Sequence, residues 1–191
     1  MLKRILFWGV IAGLIVGVPL SIITLMPSNG LPTHGMLIGY TLMLVALSTI
    51  FVAVKRYRDQ ELGGVIRFWP ALGLGLGISF VAGLIYVVAW EAAQALTHAD
   101  FATTYANALI DQQKAAGVSG AKLAAFTAEM EKFKIQYANP LFRLPMTFAE
   151  IFPVGVLVSL VAAALLRNPR FMPARRDLGG PGISAASSSQ A

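Results

Sequence analysis

The stretch WPALGLGLGISFVAGLIYVVAW, residues 69–90, contains no charged side chain. At the rise of an α-helix it is about 33 Å long, enough to cross a hydrocarbon core about 30 Å thick. Three further apolar runs are of similar length. The sequence therefore predicts transmembrane helices at about Ile5–Met26, Gly35–Val54, Ala71–Trp90 and Phe148–Leu166. Helices are the expected form because every backbone polar group in lipid needs a partner within the protein.

The overall composition also favours a membrane protein. Of the 191 residues, 57% are hydrophobic and 13% are charged, whereas soluble domains are about 45–50% apolar and about 25% charged. We therefore predict an all-α integral membrane four-helix bundle in which one membrane domain, residues 1–176, fills nearly all of the chain. The absence of cysteine excludes disulfides, thiolate chemistry and Cys-ligated metals.

The basic residues are concentrated in the segments that would lie on one side of the membrane. Ten of the fifteen precede span one, separate spans two and three, or follow span four: Lys3, Arg4, Lys55, Arg56, Arg58, Arg67, Arg167, Arg170, Arg175 and Arg176. The positive-inside rule then predicts that both termini are cytoplasmic. Topology and attraction to membrane lipids with anionic headgroups explain the net charge of +6, so no nucleic-acid binding is expected.

The start of the chain has one feature of a signal peptide, since Lys3 and Arg4 precede an apolar run. That run is longer than the usual 7–15 residues or so, and no A-x-A-like cleavage site follows it. We expect a retained first span.

Small residues recur four apart in the first three spans. This spacing places them on one helix face, where two helices can approach closely in lipid. The predicted packing residues are Gly9, Gly13, Gly17, Gly35, Gly39, Gly73, Gly75, Gly77, Ser79 and Gly83. The run from Gly73 to Gly77 is not a phosphate-binding G-x-G-x-x-G motif, because Ile78 stands at the place of the third glycine.

The only sizeable polar region, about residues 97–139, predicts a helical hairpin between spans three and four. Thr97 and Asp100 resemble a capping box at its start, and Gly117–Gly120 divides its two helices. An apolar seam of coiled-coil spacing follows, formed by Leu123, Phe126, Met130, Phe133 and Tyr137. We expect an extracytoplasmic hairpin with this seam packed on itself or on the membrane surface. Residues 177–191, rich in Gly, Ser and Ala, are predicted to be a disordered cytoplasmic tail.

Glu150 is the polar residue that is hardest to explain as solvated surface, because it lies about one turn inside span four. A carboxylate there should have a partner or carry a proton, and Pro153 frees the carbonyl of Ala149. Two interpretations stay open: a proton- or cation-binding site, or a structural ion pair with Arg143. Glu91 follows the last residue of span three, on the same side of the membrane as Glu150, and is a possible neighbour of it. The two carboxylates are the best candidates for transport chemistry.

No catalytic, cofactor-binding or metal-binding motif is recognisable. The nucleophile-elbow, H-E-x-x-H and P-loop patterns are missing. His34 and His98 have no ligand-spaced neighbours, and the serines within the spans have no intramembrane histidine to act as a base. We therefore expect no enzyme, no cofactor and no metal.

Three strings carry a resemblance to a known family. They are Lys55–Asp59 (KRYRD), Gly63–Phe68 (GGVIRF) and Ala149–Gly155 (AEIFPVG). With them the chain, from about Leu2 to Arg176, resembles the bacterial inner-membrane proteins grouped as domain of unknown function 4199. The resemblance implies four spans and a bacterial host, and it implies no activity.

Two functional hypotheses follow. The first is a non-enzymatic scaffold or accessory subunit that binds an envelope protein through the hairpin, or binds copies of itself through its small-residue faces. The second is a small oligomeric proton-coupled transporter or channel that uses Glu150 and Glu91. An enzyme acting on lipids comes third, for want of a base and a nucleophile at lipid depth.

Overall fold

The computed structural model describes residues 1–25, 35–97 and 100–174, and every regular element in these ranges is helical. The helices are α1 (Leu2–Leu25), α2 (Gly35–Glu61), α3 (Phe68–Thr97), α4 (Phe101–Ala115), α5 (Gly120–Tyr137) and α6 (Pro140–Leu166). Four of them, α1, α2, α3 and α6, are long and apolar enough to cross a membrane. The predicted all-α fold with four candidate spans is confirmed. The predicted tail, residues 177–191, lies outside the described residues.

The spanning helices extend beyond the apolar runs that predicted them. Helix α2 continues seven residues past Val54 and carries the basic cluster as helix rather than as loop. An ion pair between Lys55 and Asp59, 2.6 Å from Nζ to Oδ2, joins neighbouring turns of this extension. Helix α3 likewise continues to Thr97. Hydropathy detects only the lipid-buried part of a helix, so charged helix ends fall outside the predicted ranges.

Helix α6 begins eight residues before the predicted start of its span, Phe148. Pro140 suits the first helical position, where its missing N–H needs no partner, and the Asn139 side chain accepts a hydrogen bond from the Leu141 N–H at 3.0 Å. Pro145 therefore lies inside α6.

The glycines of α1 lie against α3 without intervening side chains. The facing pairs are Gly9 with Val81, Gly13 with Ile85 and Gly17 with Ala89. A Cβ atom added at Gly13 would be 2.6 Å from the Ile85 Cβ, well inside normal contact, so only glycine permits this helix separation. Close approach increases the dispersion contacts that hold helices together in lipid.

Helices α3 and α6 interlock through two glycine–serine pairs, here called the glycine–serine lock. Gly75 faces Ser159 and Gly155 faces Ser79 in an antiparallel arrangement. The two serine Oγ atoms are 3.2 Å apart, and each also donates to the carbonyl of its own helix's glycine, at 2.9 Å for Ser79 and 2.7 Å for Ser159. Because each serine fills the space beside a glycine, the lock fixes the axial register of the two helices.

The other predicted packing residues divide into two groups. Gly77 faces Ile5 and Gly83 faces Phe148, whereas Gly39 and Gly73 have no neighbour among the described residues within 4 Å of an added Cβ. The packing of Gly35 lies outside the described side chains. Gly73 precedes Gly75 by two residues and so points to nearly the opposite face of α3. Glycine content alone therefore does not identify a packed face.

Arg58 is fully buried at the end of the bundle that carries Met1, here called the basic end. Its guanidinium donates to the Asp59 carboxylate at 2.7 Å, and to the carbonyls of Leu166 at 3.4 Å, Phe171 at 2.9 Å and Met172 at 2.5 Å. Leu166 is the last residue of α6. Arg58 thus pairs a carbonyl that has no helical partner and places a cation at the negative end of the helix dipole.

Helices α4 and α5 form the predicted hairpin at the opposite end of the bundle, here called the hairpin end. The turn between them contains Gly117, whose φ of +81° is left-handed. The seam packs on α4: the rings of Tyr105 and Phe133 have centroids 6.0 Å apart. Asp100 itself is the N-cap of α4 and accepts from the Thr103 N–H at 3.0 Å, whereas Thr97 is the last residue of α3.

Candidate functional site

The predicted site residues lie at the hairpin end, where α3, α5 and α6 meet. Arg143 of α6 binds Glu91 of α3 through two parallel hydrogen bonds, 2.7 Å from Nε to Oε1 and 2.5 Å from Nη2 to Oε2. Both side chains are largely shielded, with 19% and 28% of their surface exposed. Bidentate pairs of this kind are among the strongest and most directional polar contacts in proteins.

Aromatic side chains connect this ion pair to the hairpin. The Trp90 Nε1–H donates to the Tyr137 hydroxyl at 2.8 Å, and the Arg143 guanidinium lies 5.7 Å from the centroid of the Tyr137 ring. The Phe101 ring packs edge-on to Trp90 at 4.9 Å. Burial raises the pKa of the Tyr137 phenol above its usual range, so this group stays neutral at ordinary pH. Trp90, Glu91, Phe101, Tyr137 and Arg143 are called the hairpin clamp below.

Glu150 has a different partner, Tyr86. The buried Tyr86 hydroxyl donates to Glu150 Oε2 at 3.2 Å, while Glu150 itself is exposed on the side of the bundle, in line with Met146 and Pro153. The residues from Glu150 to Arg167 span about 25 Å of helix. The carboxyl therefore lies near one boundary of a hydrocarbon core about 30 Å thick, on a surface that would face lipid or another protein.

The structure separates the predicted site residues into two groups. Arg143 pairs with Glu91 rather than with Glu150, and the two carboxylates bind different partners. The glycine–serine lock explains the choice: Glu91 is sixteen residues above Gly75 in α3, and Arg143 is sixteen residues before Ser159 in α6. In an antiparallel pair, equal steps from one contact lead to residues at the same axial level, and the long side chains of Glu91 and Arg143 meet at that level.

Reasoning from the sequence missed four residues with important contacts: Tyr86, Trp90, Tyr137 and Arg58. Trp90 entered the prediction only as the end of span three, Tyr137 as part of the hairpin seam and Arg58 as a flanking charge. A signal for the axial level of Tyr86 and Trp90 was present, because Gly155-x-x-x-Ser159 matches Gly75-x-x-x-Ser79 and their antiparallel alignment would have given the register of α3 and α6. Tyr137 lies in α5, outside that alignment. Arg58 had no such signal, since its carbonyl partners are 108 to 114 residues away.

Within residues 1–25, 35–97 and 100–174 there is no group of three or more His, Cys, Asp or Glu residues that could hold a metal ion. His34 and His98 lie outside these ranges. The polar atoms of the hairpin clamp are directed at one another, an arrangement suited to holding two structural units together.

Comparison with known proteins identifies the family and nothing further. A family model described as protein of unknown function, DUF4199, matches residues 7–168, and the chain belongs to this family. The comparison with curated proteins gave no significant match, and neither did the comparison with solved structures. The predicted family is thereby confirmed.

Proposed function

We propose that this chain is a non-enzymatic membrane scaffold or accessory subunit whose α4–α5 hairpin binds a partner protein. The hairpin clamp is the observation that carries the proposal. A polar loop that only joined two spans would need no bidentate ion pair, no buried Trp90–Tyr137 hydrogen bond and no aromatic packing on Phe101. These contacts hold the hairpin in one orientation, and a preorganised surface binds at a smaller entropic cost than a mobile one.

The proposal places the protein in the bacterial inner membrane with both termini in the cytoplasm and the hairpin outside. Its support is the charge distribution: eight of the thirteen described basic residues lie at the basic end, and the other five belong to the hairpin or, like Arg143, lie beside it. Since the chain has no cysteine, Ser119→Cys introduces a single thiol at the hairpin turn. A membrane-impermeant maleimide should label it in intact cells, and labelling only after lysis would reverse the assigned orientation.

Photo-crosslinking tests the docking role. A photoreactive residue placed at exposed hairpin positions Glu129 or Lys132 should give a defined adduct, whereas the same residue at the exposed α1 position Val10 should not. Tyr137→Phe with Trp90→Phe should weaken the adduct while membrane insertion is unchanged, because the hairpin loses its fixed orientation. Equal adducts at the hairpin and at Val10, or no adduct at any of these positions, would refute the proposal that the hairpin binds a partner protein.

One observation favours the second candidate, an oligomeric proton-coupled transporter or channel. Glu150 is exposed on the side of the bundle at membrane depth, so a path that uses it would run between copies of the chain. Glu91 is already neutralised by Arg143 and contributes less to this candidate than the sequence suggested. Glu150→Gln should then abolish proton flux in proteoliposomes, with Glu129→Gln in the hairpin as the matched control. Equal flux in both variants would exclude the transporter.

A further inference from the structure

The basic end contains a groove between the start of α1 and the last turns of α2. It is open to one side, has a volume of about 420 Å³ and is lined by Lys3, Arg4, Phe7, Trp8, Arg56 and Gln60. Cationic groups and aromatic rings thus come together from two helices at one end of the bundle. The hairpin clamp, at the opposite end, makes no use of these residues.

The cations of the groove differ in how far the protein satisfies them. Arg4 is paired with Glu61 and also lies over the Tyr57 ring, 5.7 Å from its centroid. Arg56 is exposed, and its guanidinium is held 6.0 Å from the centroid of the Trp8 ring. Lys3 is exposed as well. In the described part of the chain neither Lys3 nor Arg56 forms an ion pair, which leaves two positive charges without a counter-charge.

The walls of the groove are apolar and continue along the outside of the bundle. Phe7 is 60% exposed, and Val10 and Leu14 follow on the outer side of α1 at 42% and 50%. Tryptophan beside basic residues is typical of the headgroup level of a bilayer. A ligand that matches this surface needs an anionic group at Lys3 and Arg56 and a hydrocarbon part that lies along α1.

We propose that the groove binds an anionic phospholipid, with its phosphate between Lys3 and Arg56 and one acyl chain along Phe7, Val10 and Leu14. A guanidinium donates two parallel hydrogen bonds to a phosphate, and an ammonium adds a mobile point charge. The Trp8 ring attracts the face of the Arg56 guanidinium by a cation–π interaction. The N–H groups at the edge of the guanidinium can then donate hydrogen bonds to the lipid phosphate. Free phosphate would use the same cations but would gain nothing from the apolar wall.

Native mass spectrometry of the detergent-solubilised full chain tests the site. The wild-type protein should retain phosphatidylglycerol in preference to phosphatidylcholine. Lys3→Gln with Arg56→Gln should weaken phosphatidylglycerol binding about thirtyfold, since each basic residue near an anionic surface contributes about fivefold. The matched control, Arg167→Gln with Arg170→Gln, removes the same charge from the same end of the bundle outside the groove and should leave binding unchanged.

Three outcomes would overturn the proposal. They are no preference for the anionic lipid, an equal loss in the control variant, or displacement of the lipid by millimolar inorganic phosphate, which would reassign the groove to a soluble phosphate. The single variant Lys3→Gln controls for misfolding of the double variant, because Lys3 is exposed and forms no ion pair within the described residues. This single variant should fold as the wild type and lose about fivefold in affinity; an unchanged affinity would also refute the site.

Discussion

Replacing Arg58 by alanine should destabilise the bundle more than any other removal of a basic residue at its basic end. The Arg58 side chain is fully buried and makes four hydrogen bonds, one to Asp59 and three to carbonyls at or beyond the end of α6. Truncation leaves a cavity, three carbonyls without this donor and the Asp59 carboxylate with Lys55 alone. Removal of one partner from a buried charged network costs about 3–5 kcal/mol, and we expect a loss of that size in the free energy of unfolding.

The assay is equilibrium unfolding in mixed micelles, followed by far-ultraviolet circular dichroism. Arg67→Ala is the matched control, because Arg67 is exposed at the same end of the bundle and surface substitutions usually change stability by no more than about 0.5 kcal/mol. Arg58→Lys should fall between the two, since lysine keeps the charge but lacks the planar fork that reaches several acceptors. Equal stabilities of Arg58→Ala and Arg67→Ala would refute the network described here.

Three further substitutions test the packing, the cap and the clamp. Gly13→Leu should destabilise the bundle by about 1–3 kcal/mol through overpacking, whereas Gly73→Leu, which meets open space, should not; equal thermal shifts would contradict the α1–α3 contact. The hydrogen bonds that Asp100 accepts from Thr103 lower the pKa of the Asp100 carboxyl in the folded protein. Its contribution to the helix cap is therefore present above about pH 4 and is lost as the pH falls through that lowered pKa. Amide exchange in the first turn of α4 should accelerate over this pH range, and Asp100→Asn should remove the pH dependence. Tyr137→Phe should cost about 1 kcal/mol and speed amide exchange in α5, and unchanged exchange would show that the hydroxyl contributes nothing.

Elements with a regular pattern were predictable from the sequence. The four spans follow from apolar runs about 20 residues long, and the hairpin seam follows from its alternating spacing of three and four residues. The glycines of α1 were predicted to share one packing face, and in the structure this face lies against α3. Their partner helix was not predictable from α1 alone, since a glycine face fits any helix that presents suitable side chains.

Individual contacts were harder to predict where one helix end meets another. Arg58 and Arg56 are two residues apart in the same helix, yet one is fully buried and the other exposed. Two residues are about 200° apart around a helix, so these two side chains point to nearly opposite faces of α2. The sequence near Arg58 does not reveal its acceptors, because the carbonyls of Phe171 and Met172 come from a distant part of the chain.

The polar contacts of α3 with α6 depend on one quantity, the axial register of these two helices. In the observed register Gly75 faces Ser159 and Glu91 meets Arg143, two contacts that are about 24 Å apart along both helices. A slide of one turn would place Arg143 opposite Val87 or Ala95 and leave Glu91 without its cation at the membrane boundary. It would also set serine against a larger side chain in the glycine–serine lock. The apolar and the polar contacts therefore select the same register, and such agreement between independent contacts is what favours one packing over its alternatives.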